Sequence, residues 1–516
     1  MAAGAMAGPT ADGGPAPPTK RAYARLRDQL MTDQSNSPVH GGPIPPGMRA
    51  NTPARHLSDR LWQNVTVRLA VALAFADASI VVLALPEIVT RLHTSISHVP
   101  WVITAYNLAL IATAAAVIPF ARRLDSTRAL IAGLALFGVA SVGCGVANSM
   151  GALVPLRCLQ GVGGGLLLCA SLPMLASTAR PGDSPLNGWS AAAAIGIAVG
   201  PAAGGVLTQI FDWRAIFLAQ APVAALGVIL VLALHPHPVV ALPDDVDPRA
   251  TALDPLTANA GLALLSAGLI CALFLVVLML INAWLLSPIA AAAVVSTIPV
   301  ATAIAQRHVR GSSPIALGAV GAALVAVGLI GLSFVTHREL GLVIITLALV
   351  GTGLGLAFPA LTTAALRSGG PAAARAAKTV AARDAGIVLG LLVLTPVFVN
   401  QLNNAPNQAL PAATEAVLTA PIPSDLKLSL APGLDAAYKN APQSELPDFG
   451  PTFARASAHA THAERAVLRH LHNQLDWIVQ RAATSAFKVP FRSGAVFAII
   501  VLGLLSLRFA YRKRTS

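Results

Sequence analysis

The sequence predicts an all-α membrane protein, with twelve transmembrane helices in two six-helix bundles. Three observations predict it. The chain is 55% hydrophobic and only 11% charged, with a mean hydropathy of +0.68, where a soluble domain carries about a quarter charged residues. Apolar runs of about 20 residues, the length that crosses a bilayer as helix, recur along most of it. Lysine and arginine gather in alternate short loops, as the positive-inside rule expects. The net charge of +13 is therefore a matter of topology and not of nucleic-acid binding.

Residues 1–62 are rich in Pro, Gly and Ala and hold no long apolar run, which predicts a disordered cytoplasmic tail. No signal peptide is read, because the first hydrophobic stretch starts near Val67. The piece Lys20 to Met31 fits a short basic helix on anionic lipid, or more simply a solvated tail. Spans are expected near 67–90, 99–120, 128–147, 152–177, 187–209, 215–235, 260–285, 287–305, 314–334, 340–366, 379–399 and 493–511. One set of loops carries Arg122, Arg123 and Arg128; Arg180; Arg249; Arg307 and Arg310; Arg367, Arg375 and Lys378; and Arg512, Lys513 and Arg514. The other side offers Arg91, Arg214 and Arg338, so both termini are expected in the cytoplasm. The loop 236–257 divides an N-terminal bundle, 63–235, from a C-terminal bundle, 258–511, with a tail at 512–516.

Residues 401–490 break the pattern: they are polar, rich in Pro and Asn, and extracytoplasmic by parity. Within them Ala463 to Phe487 reads as an amphipathic helix, with Val467, Leu468, Leu471, Leu475, Ile478 and Ala482 on one face. It would lie on the outer leaflet or cap the outer mouth, and envelope proteins are conceivable partners of this segment. Of His459, His462, His470 and His472, only the first two have helical ligand spacing and no cysteine joins them, so no metal is assigned. Cys144, Cys158, Cys169 and Cys271 all fall in apolar spans and read as free thiols.

The most informative stretch runs from Leu156 to Gly205. Arg157 lies in an apolar span, where a charge needs a partner or a watery cavity. The next span holds Gly196, Gly200, Gly204 and Gly205, which let a second helix approach closely, and Pro201, which removes a backbone donor. Asp77 falls at the middle of its span, too short a side chain to reach either interface, and reads as a functional carboxylate. Gln160 fits a cavity residue or helix–helix glue equally well, and Tyr106 lines a cavity or packs. Glu87 is expected in solvent, and Asp384 at the inner start of its helix, where a carboxylate suits the N-terminus.

Several motifs in order carry a resemblance. The first span holds ADASIVVLALP, with Asp77, Ala84, Leu85 and Pro86. The second holds WVITAYNL, with Trp101, Tyr106 and Leu108. The fourth holds RxxQGxG at Arg157, Gln160, Gly161 and Gly163; the fifth holds GxxxGPxxGG at Gly196, Gly200, Pro201, Gly204 and Gly205. Trp213, Arg214, Ile216 and Phe217 follow as WRxIF. In these motifs the chain resembles the major facilitator superfamily, and within it the drug:proton antiporters of the usually fourteen-helix branch, strongly over 67–235 and weakly over 260–400. The loop between spans two and three, ARRLDSTRAL, keeps Asp125 of the family's gate motif but not its glycines, and Arg128 is out of register. The chain lacks room for two extra spans, so twelve are expected.

The resemblance implies a major facilitator fold and a plasma-membrane exporter, not an enzyme, that moves amphipathic compounds against protons by alternating access and thereby confers multidrug resistance. It assigns proton coupling to Asp77 and Arg157, the substrate cavity to Tyr106 and Gln160, the antiporter motif to the helix-five glycines and Pro201, and the cytoplasmic gate to Asp125 and Arg128. No cofactor is expected, and no nucleotide-binding glycine loop occurs. The partners implied are the substrate, protons and membrane lipid. Two other functions stay open: export of an endogenous lipid or envelope metabolite, and a non-transporting scaffold acting through 401–490.

Overall fold

The computed structural model describes residues 53–179, 184–234, 253–307, 313–440, 447–458 and 460–515. The expectations for Lys20–Met31, Arg180, Arg249, Arg310, His459 and residues 236–252 fall outside them. The chain divides into residues 1–56 and residues 57–516; of the first, 53–56 are described and are helical.

No strand occurs among the described residues. The first half of the larger unit comprises α1 (Arg60–Arg91), α2 (Trp101–Val117), α3 (Ser126–Val146), α4 (Met150–Thr178), α5 (Pro185–Ile210) and α6 (Ala215–Ala233, interrupted at Ala219). The second comprises α7 (Pro255–Leu278, continued by a π turn at Met279–Ala283), α8 (Pro288–Gln306, broken at Ser296), α9 (Pro314–Leu332), α10 (Leu340–Leu366), α11 (Ala372–Thr419) and the last span, α15 (Lys488–Thr515). Between α11 and α15 lie α12 (Ser424–Asn440), α13 (Gly450–Ala458) and α14 (His462–Ser485). Among the described residues twelve helices are long and apolar enough to cross a membrane. Several begin on a signal written in the sequence: Ser184-Pro185, Asp254-Pro255 and Ser287-Pro288 each place a capping side chain, bonded to a backbone N–H two or three positions into the helix, before a proline that lacks a donor to satisfy.

The two halves repeat one packing device. In the first, Gly196, Gly200 and Gly204 of α5 lie on α1: an added Cβ at Gly196 would run into Ala72 O, at Gly200 into Ser79 Oγ, and at Gly204 would sit 2.7 Å from Ile80 O. In the second, Gly386 of α11 abuts Ala263 O of α7, and a Cβ at Gly390 would lie 2.8 Å from Ile270 Cγ2. Gly205 faces the other way, onto Pro288 and Ala292 of α8, and so belongs to the contact between halves. The halves also meet where α11 packs on α2 and α4. At that seam Ala121 and Leu124 pack with Ala373 and Ala374, and Ala114, Val117 and Cys169 with Ala377.

The segment read from sequence as a loop over 401–490 is largely helical. α11 does not stop near residue 399 but continues to Thr419, because a helix that finds a protein partner needs no apolar surface for lipid. That partner is α14, which packs along α11. Leu468, Leu471, Leu475 and Val479 of α14 are buried in a small core with Ile422, Leu430, Phe449 and Phe453. Its apolar face is thus covered by protein, and the helix forms a cap and not a leaflet anchor. A capping box at Thr461 and Glu464 starts it. Trp284 Nε1 donates to Thr484 Oγ1 at 3.1 Å and Gln480 Nε2 to Ala283 O at 3.2 Å, which pins the cap to the π turn of α7. Arg375, counted from sequence among the loop charges, is inside α11 and 2% exposed.

Candidate functional site

The centre of the first half holds a charged network without solvent exposure. Asp77 comes from mid-α1 and Arg157 from α4; both side chains are fully buried. The guanidinium meets the carboxylate end-on, with Nη1 donating to Oδ1 at 2.9 Å and Nη2 2.8 Å from Oδ2. Arg157 Nε donates to Val102 O at 2.9 Å and Nη1 to Gln160 Oε1 at 2.6 Å. The planar fork matches two carboxylate oxygens at once, which an ammonium does not do.

Gln160, one turn along α4 from Arg157, is fully buried. Its amide group sits 3.3 Å from Asp77 Oδ1, 2.8 Å from Ser141 Oγ and 3.1 Å from Gln220 Oε1. An amide has two protons, so three acceptors share them. The network therefore has a spare acceptor and can rearrange without a donor being lost. Above the pair, the Tyr106 ring lies 4.5 Å from the Arg157 guanidinium carbon, and its hydroxyl donates to Ala74 O at 3.3 Å. Phe217 flanks the guanidinium at 5.5 Å. Asn107 turns away, donating to Ile103 O at 2.8 Å.

The structure thus brings Asp77, Arg157, Gln160 and Tyr106 into one cluster. Glu87 is removed from it: it pairs with Arg91 at 3.4 Å, its side chain 22% exposed. Asp125 caps α3, accepting from the Thr127 and Arg128 amides at 3.1 Å each, and its ion pair with Arg128 at 3.2 Å is exposed. The four cysteines are free thiols.

A second pair stands where the sequence suggests a helix start. Asp384 does not sit at a helix start but twelve residues beyond Ala372, 1% exposed, with Arg383 Nη1 on its Oδ1 at 3.0 Å. The Arg383 guanidinium carbon lies 4.3 Å from the Phe75 ring centroid of α1. Beside Arg383 a cavity of about 70 Å³ lies between the halves, lined by Phe75, Trp189, Ile298, Phe358 and Thr379 among others. Neither Tyr106 nor Gln160 lines that cavity. Gln220 stands where the resemblance leads one to expect an asparagine before the proline of span six, and the structure adds it to the network; Ser141 is the member that sequence reasoning missed.

The family model of the Major Facilitator Superfamily matches residues 68–394. Similar curated proteins include the tetracenomycin C resistance and export protein of Streptomyces glaucescens, 32% identical over 188 residues, covering 36% of this chain and 35% of that protein. The drug efflux pump JefA of Mycobacterium tuberculosis is 29% identical over 189 residues, covering 36% of each chain. The riboflavin transporter RibZ of Clostridioides difficile is 27% identical over 178 residues, covering 34% of this chain and 39% of that one. The matched stretch therefore spans little more than a third of these relatives' length. Among solved structures, a bacterial homologue of the human lysosomal transporter Spinster, inward-facing and occupied, shares the fold with a TM-score of 0.59 at 13% identity, over 87% of this chain and 97% of that one.

Proposed function

We propose that this chain, which belongs to the major facilitator superfamily, exports amphipathic organic compounds in exchange for protons. It is a multi-pass membrane transporter and not an enzyme. The observation that carries the antiport reading is the bidentate Asp77–Arg157 pair, buried at mid-span.

As a pair the two charges cancel. A proton on Asp77 leaves the guanidinium uncompensated in apolar surroundings. Arg157 then keeps Val102 O and Gln160 Oε1, and the Gln160 amide keeps Ser141 and Gln220. The net positive charge repels a cationic substrate and favours the conformation in which water reaches it. Loss of the proton restores the pair and the neutral core. Tyr106 packs on Arg157, and Arg383 of the other half packs on Phe75 of the helix that carries Asp77, a contact through which the change would reach the other half. Gly205 on α8 is the part of the antiporter motif placed to feel the halves separate, while Gly196, Gly200 and Gly204 hold α5 to α1. Asp125 and Arg128 hold the start of α3, and with it Leu124 in the α2–α11 seam, as the gate. We place both termini and that seam on the cytoplasmic side, with the cap outside, from the basic loops.

Drug-like substrates are supported by the names of the relatives; the riboflavin transporter among them supports a second reading, export of a metabolite. Inverted vesicles carrying the purified protein and a pH-sensitive dye test the coupling. Substrate addition should release protons from wild type, and Asp77→Asn, fixed in the neutral form, should abolish the signal while still inserting. Wild-type coupling in Asp77→Asn would transfer the role to Asp384, and a silent wild type would favour the scaffold.

A further inference from the structure

We propose that the space beneath the cap is a second binding site, for an organic cation, built by residues outside the charged network. The cavity there is about 1130 Å³, room for a drug-sized molecule. The end of α1 gives it Glu87 and Arg91, the end of α5 gives Thr208, the chain before α13 gives Asp448, and α14 gives Asp476 and Trp477.

Three features define what fits. The first is charge: three carboxylates face one guanidinium, Arg91, which Glu87 already pairs at 3.4 Å. His472, also in the wall, sits 3.4 Å from Asp476 and stacks on Phe453. A concave wall with an excess of carboxylates concentrates cations. The second is the aromatic: Trp477 is 47% exposed, and the guanidinium carbon of Arg481 lies 5.0 Å from its ring centroid. An indole face attracts a further cation by its quadrupole. The third is Thr208, a wall residue only 6% exposed, whose hydroxyl is buried and has no hydrogen-bond partner. A turn about the Thr208 side chain would bring that unsatisfied hydroxyl to a ligand as a polar contact. Leu83, Pro86 and Phe211 supply apolar wall between these groups. The matching chemistry is a monocation with a bulky apolar body.

The site needs neither Asp77 nor Arg157, so it is tested in the full-length Asp77→Asn protein, where the proposed coupling is disabled and these walls are unchanged. The probe is tetraphenylphosphonium, measured by equilibrium dialysis and by quenching of tryptophan fluorescence; tetraphenylborate serves as the anion of the same shape. The expected result is saturable binding of the cation with at least tenfold preference over the anion. It should weaken at least tenfold in Asp448→Asn/Asp476→Asn and with rising salt, and the quenching should be reduced in Trp477→Phe. Equal binding of the two probes, or unchanged cation binding in a double variant that keeps its thermal transition, would overturn the site. If the double variant does not fold, the comparison of the two probes on the parent decides alone.

Discussion

The two halves differ in where they keep charge. Both dock a glycine-bearing helix onto their first helix, α5 on α1 and α11 on α7, with backbone at side-chain distance. In the first half that geometry surrounds a fully buried ion pair between α1 and α4. In the second, α7 is buried among apolar residues from Leu262 to Met279 and carries only Ser266 as a buried polar side chain there. Its counterpart of α4, α10, contributes no charge at all. The second half keeps its own ion pair, Arg383–Asp384, within α11, so the fold does not need an ion pair between the first and fourth helices to hold a bundle together. A buried pair is weak support for stability in any case, because desolvation offsets most of its attraction. The place of Asp77–Arg157 at mid-span, where a charge is costly, is what the proposed coupling role rests on.

The comparison breaks most visibly when one partner is removed. Arg157→Ala strands Asp77 in a dry interior and should cost about 3–5 kcal/mol, read as a lower thermal midpoint of the purified protein. Ser266→Ala, in the equivalent first helix of the other half, removes a hydroxyl that makes no hydrogen bond and should change stability by less than about 0.5 kcal/mol. Equal effects from the two would mean that the halves are not differently built. Next come the seams. Gly200→Leu and Gly386→Leu overpack equivalent contacts and should each cost about 1–3 kcal/mol, whereas Gly205→Leu, on the contact between halves, should spare each bundle and impair efflux. Efflux assays beside thermal melts separate these outcomes; normal transport from Gly205→Leu would remove that contact from the moving parts.

The smallest effect lies at the start of α7, where the charge is structural. Burial pushes the Asp254 carboxyl up, but the Thr257 amide at 2.9 Å, the Thr257 hydroxyl at 2.8 Å and Arg508 at 3.4 Å outweigh it, and the group lies below the ordinary carboxylate value. A depressed value in the folded state contributes stability that is complete above the unfolded value of about 3.9 and is lost as pH falls through the folded one. Asp254→Ala should therefore cost about 0.5–2 kcal/mol at neutral pH, and the difference from wild type should shrink below about pH 4. A thermal-midpoint difference that stays constant from pH 7 to pH 3 would show that the carboxylate's charge contributes nothing there.

Much of this is legible in the sequence, for a physical reason. A charge in an apolar run cannot be hidden, so Asp77 and Arg157 stand out in the sequence, and the four-residue spacing of Gly196, Gly200 and Gly204 announces a close helix contact. Ser141 was illegible because a helical serine satisfies itself: its hydroxyl donates to Phe137 O at 2.7 Å, so its presence near Gln160 leaves no mark. Asp384 was misplaced because Arg375 and Lys378 read as loop charges, which moved the expected start of the helix seven residues past its true one at Ala372. The extension of α11 past residue 399 was invisible for the opposite reason. Hydropathy reports what faces lipid, and Ala409 and Ala416 are buried against protein.

The 48 residues of α11 make a rod about 70 Å long, more than twice the thickness of a bilayer core. Its first turns, at Ala373, Ala374 and Ala377, press into the seam with the first half. Its far end carries the cap through Ala416, and the ring of Phe398 rests 4.8 Å from that of Phe487 just beyond α14. In mechanical terms it is a lever with a seal at one tip and a roof at the other. A tilt of about 10° about the seal would swing the roof by roughly 12 Å over such a length. Because the roof is also fastened to α7 through Trp284 and Gln480, in such a tilt it would ride with the second half and sweep across the ends of α1 and α5. Under the proposed gating, levering the seal open and displacing the roof would be one stroke.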